Sequence, residues 1–283
     1  MRQIIHPGPV AAERMMAVPG EAIPIRFTLQ QGCRIDEAIS EGFRASGCIG
    51  GFVAFVGGKC EPFKYVIPAA SPDGRHAAWY SDTFQPDGVV AIHRACAIVG
   101  IRDGGPFIHC HGVWSTREGL RMGHMLAPET FAAEPIDVSG IGLRTATFEA
   151  MPDGETNFIL FEPVQVTGIG AGNSYVRAIL AKVRPNEDIS LAIEEICSTC
   201  DIGPATVYGI GSLNEVRFTD GTSIASHATE VLIRRGAVKD SDGHLEARLE
   251  VDVVDMGGNI HSGELVRGDN PVCVTFELVI APA

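Results

Sequence analysis

The stretch "IDEAISEGFRASGCIGGFVAFVG" (residues 35–57) returns in altered form as "ISLAIEEICSTCDIGPATVYGIG" (residues 189–211). The two align without a gap at an offset of 154, with Ile35/Ile189, Ala38/Ala192, Ile39/Ile193, Glu41/Glu195, Val53/Val207 and Gly57/Gly211 identical. In each, apolar residues recur at helical spacing: Ile35, Ala38, Ile39 and Phe43 in the first, Ile189, Ala192, Ile193 and Ile196 in the second. That spacing predicts an amphipathic helix in both places. Each helix runs into a short apolar strand that ends in glycine, "GFVAFVG" or "ATVYGIG". The chain therefore reads as one unit used twice.

Further along, "MGHMLAP" (122–128) matches "SGELVRG" (262–268) at an offset of 140, so the first copy is longer between the two landmarks by 154 − 140 = 14 residues. The insertion maps to "VIPAASPDGRHAAWYSDTFQPDG" (66–88), whose Pro, Gly and Asp content marks a long loop. Loops of this length often act as lids or binding loops, and Trp79, Tyr80 and Phe84 would give this one apolar contacts. The boundary between copies is expected near "VTGIGAGNSY" (166–175), after the strand "NFILFEPVQV" and before "YVRAILAKV". The second copy continues as "EVRFT", "ATEVLIRR", "LEARLEVDVVD", "GELV" and "CVTFELVIA". The alternation in "LEARLEVDVV" suits an antiparallel sheet with one wet face, and one helix against such a sheet is an α+β arrangement.

Composition narrows the function classes. The 283 residues include 45% hydrophobic and 20% charged residues, which suits a globular chain with a substantial core. A formal charge of −13 repels phosphate backbones, so nucleic acid is an unfavoured partner. The densest basic cluster, "VLIRRGAVK" (231–239), reads as a solvated strand end. The N-terminus lacks an apolar run of signal-peptide length, and no apolar stretch is long enough for a membrane span. With eight scattered cysteines and no signal, reduced thiols and a cytoplasmic location are expected. The lone "CSTC" (197–200) lies within the second helical pattern and reads as buried thiols.

The chemistry gathers at "PFIHCHGVW" (106–114). On a strand, His109 and His111 project on one face about 7 Å apart. "STREGLRMGHML" reads as a hairpin return with Gly119 in the turn, which sets His124 on the neighbouring strand. Three converging imidazoles with a fourth position left for water is the plan of a catalytic zinc site. The plainer alternative is three ordinary histidines on the polar face of a sheet. The remaining histidines have no such spacing, and His261, three residues out of register with His124, is expected to cap a turn. In the second copy Glu264 aligns with His124, and Arg248 and Glu250 with the histidine pair. Arg248 between two glutamates would stand in for the cation, and a surface salt bridge is the competing reading. Near the triad, Arg121 could hold a substrate carboxylate and Glu118 could act as a general base, unless both are solvated turn residues.

The segment "DGGPFIHCHGVWSTREGLRMGHMLAPE" and the opening "ISLAIEEICSTCDIGPATVYGIGSLNEVRF" resemble the plants-and-prokaryotes-conserved domain (PPC or PCC). The family's Gly-Gly-His-Leu is Met122-Gly123-His124-Met125 here, and the second copy lacks the histidines. The resemblance covers two copies, 22–165 and 174–283, behind an N-terminal extension, 1–21. It implies in each copy a mostly antiparallel, strongly curved sheet packed on one main helix, similar to that of acetolactate decarboxylase. It also implies zinc or another divalent metal on His109, His111 and His124, and a homo-oligomer, with a trimer favoured. Many members carry a DNA-binding label, which the acidic charge of this chain argues against. Two functional expectations follow. The first is lyase- or hydrolase-type chemistry at a metal on a small oxygenated metabolite. The second is a non-catalytic oligomeric binding or regulatory module, DNA-associated or not.

Overall fold

The computed structural model describes residues 2–55, 57–166 and 175–283. The glycine-rich boundary expected at 166–175 lies, apart from its two end residues, outside the described residues. Two α-helices form where the apolar spacing put them, Ile35–Ala45 and Ile189–Thr199. The second is capped by Asp188, whose side chain accepts the Leu191 N–H at 3.0 Å. Ile35, Ile39 and Phe43 bury one face of the first helix, and Ile189, Ile193, Ile196 and Cys197 bury one face of the second.

Most strands join one 16-stranded sheet. Its main path runs Ile260–Glu264, His244–Asp255, Thr229–Ser241, Ala205–Leu213, Val272–Pro282 and Val176–Val183. It crosses to Met15–Leu29 and continues through Ile136–Leu143, Gly50–Phe55, Val90–Arg102, Gly105–Thr116, Gly119–Met125 and Tyr65–Val66. Every neighbouring pair on this path is antiparallel. Read outward from the Val176–Val183/Met15–Leu29 junction, six strands of each half follow the same order: opening strand, a late strand, the strand after the helix, then a three-strand meander; the first half adds the hairpin Ala146–Pro152/Ile159–Gln165.

Two expectations need correction. Residues 1–21 are not wholly an extension: the first strand begins at Met15, and Met15–Ala22 pairs with Val183–Val176 of the second half. Nor does the expected strong curvature appear in each copy. The sheet is open, its end strands do not pair, and its two halves lie face to face. The strands explain this by being apolar on both sides. In Val90–Arg102, Ala95, Ala97 and Val99 face the first helix, while Cys96 and Ile98 join a cluster shared with Ile210, Leu232, Val254 and Val279 of the second half. A strand covered on both faces reads as a continuous apolar run, here "ACAIVG". Phe52 and Tyr208 stack across the seam with ring centroids 4.5 Å apart. Each fully buried Ile or Leu there contributes on the order of 1.5–3 kcal/mol. Among the described residues, no helix is long and apolar enough to cross a membrane.

Candidate metal centre

The three histidines sit on the seam between the half-sheets. Gly105–Thr116 alternates Ile108 and Cys110 toward the first helix with His109, His111 and Val113 toward the second half. The strand returns through a turn at Thr116–Gly119, and His124 arrives directly opposite His111 in the ladder. The three imidazoles thus converge on one place, as the strand and hairpin spacing led us to expect. Gly123 is required beside them, because a Cβ there would lie 2.3 Å from the Val66 carbonyl oxygen and 3.0 Å from the Tyr65 ring. Only a residue without a side chain lets Tyr65–Val66 pair against the His124 strand.

One potential ligand atom from each imidazole lies within 4.8 Å of the others. His109 Nε2 and His111 Nε2 approach to 3.0 Å. Their outer nitrogens are both engaged by the second half: His111 Nδ1 contacts the Val231 carbonyl at 2.9 Å, and His109 Nδ1 hydrogen-bonds the Glu277 carboxylate. A carbonyl oxygen only accepts, so His111 Nδ1 carries the proton and donates. Burial, and then the neighbouring His109 and His124, hold His111 well below the usual histidine range; burial and then His109 do the same to His124. Both rings are therefore neutral, and the lone pair of His111 Nε2 faces His109 Nε2. Two facing lone pairs at this distance repel, so the space between them takes a proton, as in a hydrogen bond between the rings, or a metal ion. His124 Nδ1 is buried with no hydrogen-bond partner among the described residues, a second atom in want of one. Neutral imidazoles with anchored outer nitrogens are the state that binds metal, and the donor set fits zinc.

A cavity of about 270 Å³ opens beside the triad. Trp79 and Tyr80 of the inserted loop line it, so the expected binding loop does reach the site. Tyr80 packs edge-on to His124 at 5.4 Å, and Trp79 stacks on Phe158 at 5.2 Å. Burial, reinforced by the charges of Glu230 and Glu277, raises the Tyr80 phenol, which stays protonated and able to donate. Phe107, Ile159 and Phe161 add apolar wall, and Arg102 stands at its margin, 5.5 Å over the Phe107 ring. Glu230 also faces the cavity, one carboxyl oxygen 4.0 Å from His111 Nε2, and burial raises it well above the ordinary carboxylate range.

The remaining site expectations fare differently. Arg121 and Glu118 pair with each other at 3.3 Å on the hairpin turn, outside the cavity lining. Arg121 lies on the strand face opposite His124, and Glu118 is exposed, so neither reaches the triad. In the second half Glu250 stands opposite Glu264 as His111 stands opposite His124, so the expected register holds. The charge cluster does not form: Arg248 is exposed and pairs with Glu246, while Arg234 and Arg235 neutralise Glu250. On the solvent face of its strand an arginine keeps its hydration more cheaply than it enters a buried cluster. His261 holds Asp255 at 3.0 Å beside the Asp255–Asn259 turn, as expected of a cap. The two residues the sequence reading missed are Glu230 and Glu277. Each is an acidic residue inside an apolar strand, in "ATEVLIRR" and "CVTFELVIA", and that incongruity was the available signal.

Residues 171–283 match the Plants and Prokaryotes Conserved (PCC) domain. The matched range is the half that supplies Glu230 and Glu277, and the histidines lie outside it. Among solved structures, the chain is similar to a plant- and prokaryote-conserved (PPC) protein of Pyrococcus horikoshii, at 18% identity over 56% of this chain and 100% of that one, with a TM-score of 0.40. It is also similar to a metal-containing protein of Archaeoglobus fulgidus, at 16% identity over 57% of this chain and 99% of the other, with a TM-score of 0.39. No functionally curated protein matches the chain.

Proposed function

We propose that this protein holds a divalent metal ion, with zinc the best fit, on His109, His111 and His124, and that the ion acts on a small oxygenated molecule in the adjoining cavity by hydrolase- or lyase-type chemistry. One observation carries the metal reading: two imidazole Nε2 atoms stand 3.0 Å apart with both outer nitrogens already engaged. Nitrogens sharing one zinc ion at about 2.0–2.1 Å would be roughly 3.3 Å apart, close to that separation. A zinc ion there would polarise a carbonyl or lower the pKa of bound water. The protein's own part is positional. Glu277 fixes the ring of His109, Val231 fixes that of His111, and the aromatic wall limits water.

The matching strand order of the halves, with Glu250 facing Glu264 in the second, supports reading the chain as an internal duplication. On that reading one copy keeps the imidazoles and the other supplies carboxylates to them. The experiment is metal analysis of the purified protein beside a His109→Ala/His111→Ala double variant. One equivalent in the parent and none in a folded variant supports the reading. A parent that takes up no metal refutes it.

A further inference from the structure

Glu230 is only 5% exposed, and its Oε2 has no hydrogen-bond partner among the described residues. A buried carboxyl left this way is costly unless something occupies the adjoining space. The other oxygen lies 4.0 Å from His111 Nε2, too far for a direct hydrogen bond. Glu230 does not belong to the close group formed by the three imidazoles. It thus stands beside the position where a metal-bound molecule would lie, without being a ligand itself. Thr275, from the same half, also lines the cavity and has a buried, unpartnered Oγ1.

We infer that Glu230, delivered by the second half, selects the ligand of the first half's metal: its free carboxyl oxygen accepts a hydrogen bond from an O–H or N–H group of the bound molecule. The inference rests on the metal reading above. It defines the ligand class as small molecules that offer a metal-binding oxygen next to a hydrogen-bond donor, such as hydroxy acids or hydroxamic acids. An apolar remainder would lie against Trp79, Phe107 and Phe161, which line the same cavity. The volume of about 270 Å³ suits a metabolite rather than a polymer segment. An anion with no hydrogen to donate, such as azide, gains nothing from the free oxygen of Glu230.

The test uses the full chain loaded with Co2+ alone, and the visible absorption of cobalt reports binding of acetohydroxamate and of azide. Glu230→Met should take up the same equivalent of Co2+ and bind acetohydroxamate about tenfold more weakly, the worth of one hydrogen bond. Its azide affinity should be unchanged. Glu230→Gln keeps an uncharged acceptor in the same volume, so it should show a smaller loss and serves if the methionine variant misfolds. The inference is overturned if both ligands weaken together, or if neither changes. A wild-type chain that takes up no Co2+ would instead bring down the metal reading itself, which separates the two failures.

Discussion

Glu277 and Asp153 are both carboxylates fixed by partners, and each makes a separate prediction. Glu277 accepts from His109 Nδ1, which aims Nε2 at the triad. Glu277→Gln should lower zinc affinity about 10- to 100-fold, measured by competition with a chromophoric chelator, with the fold kept. Unchanged affinity would mean that Glu277 does not position His109. Asp153 is buried beside Lys182, at 3.0 Å, and Arg184. Burial alone would raise its carboxyl, but the charge and hydrogen bond of Lys182, with Thr156 and Arg184, hold it below its ordinary 3.8. A depressed folded value means the stabilisation is complete above the unfolded value and is lost as pH falls through the folded one. Asp153→Asn should therefore cost about 3–5 kcal/mol in urea unfolding at pH 7, because Lys182 is left buried with less compensation. The gap between variant and parent should narrow only below about pH 4. A gap constant with pH would contradict the assignment.

Hairpins and helices were the legible scale. The helical repeat of Ile35, Ile39 and Phe43, the two-residue period of His109 and His111, and Gly119 in a turn are local signals, and the elements follow them. Gly123 belongs to this scale, since its bare backbone lets two strands meet beside His124. Gly123→Ala should shift the His124 strand, lower zinc affinity at least about tenfold and cost roughly 1–3 kcal/mol in thermal unfolding, as overpacking does. Affinity equal to that of the parent would show that the strand accommodates a methyl group. For Arg121, Glu118 and Arg248 the plainer of the two readings holds, a solvated turn pair for the first two and a surface salt bridge for the third. Period-two alternation sends Arg121 to the face opposite His124 and Arg248 to the solvent face of its strand, and a turn leaves Glu118 in water.

At the scale of the molecule, the site exists because two half-sheets face each other. His111 meets Val231 across 120 residues of chain and His109 meets Glu277 across 168, separations that no local pattern encodes. The seam was illegible for the same reason: a strand apolar on both faces says that both are covered, not by what. The Phe52–Tyr208 stack tests whether the seam holds as one piece. Phe52→Ala should destabilise by about 3–5 kcal/mol. A double-mutant cycle with Tyr208→Ala should give a coupling of about 0.5–1.5 kcal/mol. Zinc affinity should fall with loss of the stack, because the two halves supply the site jointly, and additive effects with unchanged affinity would mean that they behave independently. The most direct measurement of the central claim is anomalous scattering at the zinc edge from crystals grown with one equivalent of zinc. The account predicts one strong peak about 2.0–2.1 Å from a ring nitrogen of each of His109, His111 and His124. Peaks confined to exposed side chains, with the three rings lying as they do here and nothing among them, would contradict it.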